Sequence, residues 1–254
     1  DNSLRTGDEL SGLTGVLAEA GGDYRIHPVE SPGFTRINER PLSPSAAGDS
    51  IRAAIVDTGG YFNGDGQGAG FPGVRGAVTA EEFSRQRDKI ISAVLGLDAD
   101  IVALLALEND GYGPDSALQD LVNGLNEAAP VGATYALIDP AVSKLGSGDI
   151  AVGLIYRQER IMPVGTAVTT LNPPFDSFSI PPLVQGFADA GNDEMFVIAV
   201  THLPERDQCP LAGDPNADQN DGQDCWNGLR TLGAAALVDY LESDPTGTGN
   251  ADIL

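Results

Sequence analysis

Lysine is nearly missing from this chain. Of its 14 basic residues only Lys89 and Lys144 are lysines, and they face 37 acidic residues, for a formal net charge of −23. A surface of that sign repels polyanions, so a nucleic-acid partner needs a local cationic groove, a bound metal or high salt. Acidity of this degree also suits solubility in a salty medium. Long hydrophobic runs are missing too. Apolar residues make up 41%, but Gly, Thr or Asp interrupts each stretch well short of the ~20 residues that span a bilayer, so no membrane span is expected. The opening Asp1-Asn2-Ser3-Leu4-Arg5 has neither the basic flank nor the apolar stretch of a secretion signal, which leaves export undecided. Cysteine is limited to Cys209 and Cys225, which share one loop and do not form a C-x-x-C pattern. With His202 the only nearby imidazole, a tetrahedral zinc site would need carboxylates to complete it, whereas a disulfide closing the loop needs nothing further. The pair predicts a disulfide and, with it, an oxidising compartment: an extracellular or secreted protein.

What is present is enough for one large domain, or a large one with a small one, in 254 residues. Short alternating runs at Leu13 to Leu17 and Tyr24 to Val29 predict hairpin strands in a small β unit over 1–40. Pro41, Pro44 and small residues then predict a linker over 41–50. The remainder, 51–254, reads as the main domain. Its strands are expected at Ile51 to Val56, Ile101 to Leu107, Tyr135 to Ile138, Ile150 to Arg157, Ile161 to Val168 and Met195 to His202. Thr79-Ala80-Glu81-Glu82 is a capping box that predicts a helix over about 80–97, and further helices are expected over about 116–128 and 229–241. The continuous apolar run Ile101 to Leu107 suits a central strand covered on both faces. Strands that first alternate with helices and then follow one another suit an α/β (α+β) sheet sandwich flanked by helices better than a doubly wound sheet.

Several residues at strand ends could carry phosphoryl-transfer chemistry, which needs oxygen ligands for a divalent ion, a base for the attacking water and a cation for the developing charge. Asp57 and Glu108 lie at the ends of two strands, His202 ends a third and Arg157 a fourth. Their flanks carry a resemblance. Glu82-Phe83-Ser84-Arg85-Gln86-Arg87, Leu97-Asp98-Ala99-Asp100-Ile101-Val102, Glu108-Asn109-Asp110-Gly111-Tyr112-Gly113, Ile150 to Arg157, the His202-Leu203 pair, the cysteine loop and Asp244-Pro245-Thr246-Gly247 resemble bacterial extracellular endonucleases. These belong to the endonuclease/exonuclease/phosphatase superfamily, whose fold is that of deoxyribonuclease I. Ser11 to Leu17 with Asp23-Tyr24-Arg25 resembles the tail of the OB-fold-type β domain that precedes such nucleases. The resemblance implies a four-layered αββα sandwich, magnesium as cofactor, and DNA or another phosphodiester as substrate.

The same resemblance exposes departures at the site. The metal-ligand Glu of the family corresponds to Ala106, its first-strand Asn to Asp57, and its Asn-His-Leu-Lys-Ser to Thr201-His202-Leu203-Pro204-Glu205. Strand alternation would turn Glu108 to the same face as Ala106, but roughly 6.5 Å farther along, a poor substitute for a ligand about 2.1 Å from its metal. A catalytically inactive binding or structural module of the matrix or cell surface is therefore the alternative to a secreted nuclease. Two weaker features complete the reading. Asp214, Asn216 and Asp218 alternate oxygens as calcium loops do, without the EF-hand Gly and Glu; the other reading is a solvated acidic loop. Asn63-Gly64-Asp65-Gly66 reads as a flexible turn. The last residues, Ala251 to Leu254, look like the opening of a further strand, and an open sheet edge there would allow self-assembly.

Overall fold

The computed structural model describes residues 4–39, 41, 43–45, 48, 50–177, 180–249 and 252–254. It divides into two units, Asp1–Pro44 and Ser45–Leu254. The expected linker falls across this division, and its Leu42, Ala46, Ala47 and Asp49 lie outside the described residues. In the first unit β1 (Glu9–Leu10) and β4 (Phe34–Thr35) pair antiparallel, as do β2 (Gly15–Ala20) and β3 (Asp23–Pro28). Asp8 fastens its ends together: Oδ2 accepts from the Arg5 amide at 2.9 Å, and Oδ1 from the amides of Ile37 and Asn38, each at 3.2 Å.

The second unit opens with β5 (Ala53–Tyr61), followed by helix α1 (Ala80–Leu97), β6 (Ile101–Glu108), helix α2 (Ala117–Ala128), β7 (Tyr135–Leu137) and β8 (Ile150–Arg157). Both helices start on a side-chain cap. Thr79 Oγ1 accepts from the Glu82 amide and Ser116 Oγ from the Gln119 amide, while Glu82 reaches back to the Val78 amide at 2.9 Å. The strands form one sheet in the order β5-β6-β8-β7, with β5 parallel to β6 and the other pairs antiparallel. A second sheet follows in sequence, from β9 (Ile161–Val168), β10 (Ile180–Asp189) and β11 (Met195–His202), in the order β11-β10-β9 and wholly antiparallel. Helix α3 (Asn227–Glu242) comes last.

Two cores account for the stacking. On one face of the first sheet, Ile90, Ile91 and Val94 of α1 and Leu118, Leu121 and Leu125 of α2 pack on Val102, Leu104 and Leu107 of β6. On its other face, Ile101, Val152 and Leu154 meet Leu183, Phe187, Ile198 and Val200 of the second sheet. Each fully buried side chain of this kind contributes about 1.5–3 kcal/mol. Helix α3 supplies the outer layer more thinly: Gly233 is its one buried residue, and the Tyr240 hydroxyl donates to the Thr169 carbonyl at 3.1 Å. The result is an αββα layering of the expected class.

In the second unit, strand β10 is the element the sequence reading omits, as it omits the two-residue strands β1 and β4 of the first. Pro181 and Pro182 argue against a strand because each lacks a ladder donor. The fold accommodates them at its start, where the register with β11 shifts between Ile180 and Leu183. The strand is buried along most of its length and lies at the centre of the second sheet. Beside it, Asp252 to Leu254 run along the other edge of β11, parallel to it, through the bonds Val197 N to Asp252 O, Leu254 N to Val197 O and Ala199 N to Leu254 O, each 2.9 Å. That edge of β11 is thus partly covered by the chain itself; Ala251 lies outside the described residues.

Candidate functional site

Where β5 and β6 end, both strands leave regular pairing. Asp57 opposes Leu105 and Tyr61 opposes Leu107, so β5 carries extra residues; Leu104 opposes Gly153 and Leu107 opposes Ala151, so β6 carries one. The extra length of β5 is taken up by Gly59 and Gly60, both at positive φ, and that of β6 by Ala106 at φ +57°. Thr58 closes the gap, its hydroxyl placed 2.9 Å from both the Leu105 and the Ala106 carbonyl oxygens. Gln86 of α1 holds the bulge from the other side by donating to the carbonyls of Thr58 and Gly60 at 3.2 and 3.1 Å. The bulge also corrects the expected facing of Glu108. Leu105 packs in the core between the sheets and Leu107 in the core under the helices. Residues two apart therefore take opposite faces here, and alternation cannot align Glu108 with Ala106.

Glu108 instead turns to the Gly-rich loop after β5, where its Oε2 accepts from the Asn63 amide at 3.1 Å. Asn63 is only 3% exposed, so this loop is anchored and is not the free turn expected from its composition. Its Nδ2 donates to the Asp115 carbonyl at 2.9 Å, and Asp110 Oδ2 accepts from the Ala117 amide at 2.9 Å in the turn that starts α2. Burial pushes the Glu108 carboxyl up, with the Asp110 charge adding to it; burial pushes Asp110 up as well, and Lys144 partly offsets both. Asn109 between them is structural. Its side chain joins the Leu145 amide and the Leu145 and Gly148 carbonyls, with every bond at or under 3.0 Å.

At the end of β11, His202 lines a cavity of about 290 Å³ with Arg75, Ser177, Glu205, Asp207 and Trp226 among its walls. Its Nδ1 is sealed from solvent and has no partner, and its Nε2 lies 3.7 Å from Glu205 Oε1. The far wall is held by the Cys209–Cys225 disulfide, which the two cysteines predicted. Arg230 reinforces that wall by donating to the Cys225 and Gln223 carbonyls at 2.7 Å, and Trp226 Nε1 donates to the Asp207 carbonyl at 2.9 Å. Closing a loop of this size is worth ~3 kcal/mol.

Two other expectations are corrected. Arg157 belongs to the opposite end of the sheet: β8 runs antiparallel to β6, so Tyr156 opposes Ile101 while Ile150 opposes Glu108. Seven residues of strand place it about 20 Å from the β6 terminus. There Nη2 donates to Asp98 at 2.7 Å, Nη1 lies 3.8 Å from Asp100, and the guanidinium sits over the Tyr135 ring. It braces the sheet. In the 214–224 loop the carboxylates do not converge either. Asp214 Oδ1 accepts from the Asn216 amide and Asp218 Oδ1 from the Asn220 amide, each at 2.8 Å, in successive Asx turns, while the Asn216 carbonyl serves Trp226. Among the described residues no group of three or more His, Cys, Asp and Glu side chains is placed to hold a metal ion.

The magnesium implied by the resemblance does not fit the residues present. Ala106 has no donor atom, Asp57 is exposed with Oδ1 on the Gly59 amide at 2.9 Å, and the bulge turns Glu108 away from the Ala106 position toward the Asn63 loop. No protein-family model matches the chain, and no curated protein does. Among solved structures, the human Nocturnin catalytic domain with bound sulfate matches at 15% identity and a TM-score of 0.46, over 78% of this chain and 60% of its own. An endonuclease/exonuclease/phosphatase family protein from Bacteroides thetaiotaomicron matches at 12% and 0.46 over the same shares. A mannosyl-6-phosphatase from Bacteroides thetaiotaomicron matches at 14% and 0.45, over 79% of this chain and 62% of its own. The chain thus spans about 60% of the length of the structures it resembles. Likeness of that size assigns no role to any residue, and the roles given above rest on this chain's own contacts.

Asn63, Asp110, Arg75 and Trp226 enter the site without having been singled out from the sequence for a role there. The aromatic pair Tyr61-Phe62, fully or almost fully buried, was the available signal that the next residue is held inside.

Proposed function

We propose that this chain is a secreted relative of metal-dependent endonucleases that keeps a pocket for a phosphate-bearing ligand, DNA ends included, and has lost metal-assisted hydrolysis. The observation that carries the reading is Ala106: at the bulge where the family resemblance calls for a metal-binding carboxylate, the chain has a methyl group. Binding draws support from the cavity at the end of β11. His202 and Arg75 supply cationic or donor groups in a chain of net charge −23, and Trp226 supplies a ring for stacking. Glu205 and Asp207 on the same walls favour a single phosphate over a long backbone track. Secretion draws support from the disulfide.

Nicking of supercoiled plasmid, with magnesium and calcium at low and high salt, tests the loss of hydrolysis. The chain is expected not to nick, and chelator-sensitive nicking by the unaltered chain would overturn the reading. An Ala106→Glu variant run beside it shows whether the carboxylate alone is what the site lacks. Anisotropy of a labelled, 5′-phosphorylated oligonucleotide at high salt tests binding, expected to weaken at least tenfold in a His202→Ala/Arg75→Ala variant.

A further inference from the structure

Among the described residues, Asn63 and Asp110 each keep a buried side-chain oxygen without a hydrogen-bond partner, and both residues bond to the turn that starts α2. The two oxygens are Asn63 Oδ1 and Asp110 Oδ1. Both are acceptors, so neither can satisfy the other while Asp110 is ionised. Their positions are tied to a single patch of chain. Asn63 Nδ2 sits on the Asp115 carbonyl and Asp110 Oδ2 on the Ala117 amide, two residues apart in one turn. Glu108 joins the patch through the Asn63 amide and spends only Oε2 there. The patch therefore gathers an amide oxygen, a free carboxylate oxygen of Asp110 and a free one of Glu108, with no hydrogen-bond donor turned toward the first two.

A buried acceptor left without a donor costs roughly 1–3 kcal/mol, and two carboxylates drawn together out of water cost more. Burial holds both carboxyls above their ordinary range, and the Asp110 charge adds to the rise of Glu108. Lys144 attracts both carboxylates but sits exposed on its loop. Oxygen-only, acceptor-only and doubly negative describes what a hard divalent cation requires.

We propose that Asn63 Oδ1, Glu108 and Asp110 form a structural calcium site that staples the Gly-rich loop after β5 to the end of β6 and the start of α2. Calcium suits the set better than magnesium because it accepts irregular shells of six to eight oxygens at 2.3–2.6 Å, completed by water, whereas magnesium demands near-ideal octahedra. The site is separate from the hydrolytic one the resemblance implies, since Ala106 contributes nothing to it. It also differs from the 214–224 loop, whose carboxylates are spent in their own turns. A tight loop explains the glycines here. A Cβ on Gly66 would meet the Asp115 carbonyl at 2.3 Å, so the loop must pass within backbone distance of the turn it is stapled to.

Isothermal titration of the full chain with calcium chloride after chelator treatment tests the proposal, alongside thermal melts. One calcium per chain and a raised melting temperature are expected, with magnesium weaker. Asp110→Asn keeps an oxygen for the Ala117 amide and is expected to weaken calcium at least tenfold, as is Glu108→Gln. Asp214→Asn/Asp218→Asn is expected to leave binding unchanged. No heat and no thermal shift in the unaltered chain would overturn the site in favour of a buried water or a shared proton. Undiminished binding in Asp110→Asn, or binding lost in the 214/218 variant, would also overturn it. Should Asp110→Asn fail to fold in chelator, Glu108→Gln carries the same decision. Heat and melting do not depend on plasmid nicking, so this site and the loss of hydrolysis stand or fall apart.

Discussion

The two ends of strand β6 are built on opposite principles. Where the strand begins, every carboxylate named has a cation: Asp98 is bonded by Arg52 and Arg157, and Asp100, only 4% exposed, takes the Arg52 amide at 2.9 Å with Arg157 and Arg160 each 3.8 Å away. Where it finishes, Glu108 and Asp110 share one exposed lysine, two buried oxygens lack donors, and the backbone is bulged with Ala106 in the left-handed region. Paired charges and regular register make the first end a brace. Unpaired acceptors and irregular backbone at the second are features stable folds keep where a ligand or ion compensates them.

The sharpest way to break this contrast is at the brace. Arg157→Leu removes one of the two cations at Asp98 and one of the two at nearly buried Asp100, and is expected to cost about 2 kcal/mol, the worth of a hydrogen bond to a charged group, with Arg52 and Arg160 left in place. Urea denaturation reads this, and oligonucleotide anisotropy is expected not to change, since Arg157 lies away from the His202 cavity. A cost below about 1 kcal/mol would mean that the pairing is solvated and the end is no brace.

Acid and base should then separate the ends. The Arg157 hydrogen bond, helped by Arg52, holds the Asp98 carboxyl below its ordinary 3.8. The unfolded chain therefore takes up protons first as pH falls, and this contribution is present above 3.8 and lost as pH drops through the depressed value. Glu108 and Asp110 are raised above 4.5 and 3.8, mainly by burial. The folded chain then holds more protons, so in chelator their contribution is full below those values and lost as pH rises through the raised ones. Urea midpoints between pH 3 and 8 in chelator should fall on both flanks, and Asp110→Asn should flatten the upper flank alone. An upper flank unchanged by that substitution would locate the loss elsewhere.

The smallest effect concerns the bulge. Ala106 at φ +57° pays the left-handed cost of an L-residue, of order 1 kcal/mol, so Ala106→Gly is expected to stabilise by somewhat less than that. Destabilisation in the same urea measurement would show that the methyl is packed and that its contacts outweigh the backbone strain.

Much of the scaffold was legible in the chain. The capping box at Thr79 to Glu82 marked the start of α1 (Ala80–Leu97), and the unbroken apolar run marked β6 as central. These signals are local, written within one turn or one strand. Strand β10 was illegible because Pro181 and Pro182 read as breakers when the register shift that absorbs them is made by β11. Arg157 was legible as a charged strand end but not as to which end, since only antiparallel pairing with β6 sends it away from Glu108. Asn63 was hidden among glycines, its burial being the work of Glu108 and Asp115 from 45 and 52 residues away.

Residue order alone determined the layered class, the three helices and the disulfide, because each depends on composition or on neighbours close in the chain. Tertiary structure alone decided which polar atoms meet. Bulges in β5 and β6 overrode alternation, antiparallel pairing sent Arg157 to the brace, and long-range hydrogen bonds drew Asn63, Glu108 and Asp110 to one patch. Such encounters are set by register and burial between distant segments, where a shift of one residue reverses the face a side chain presents.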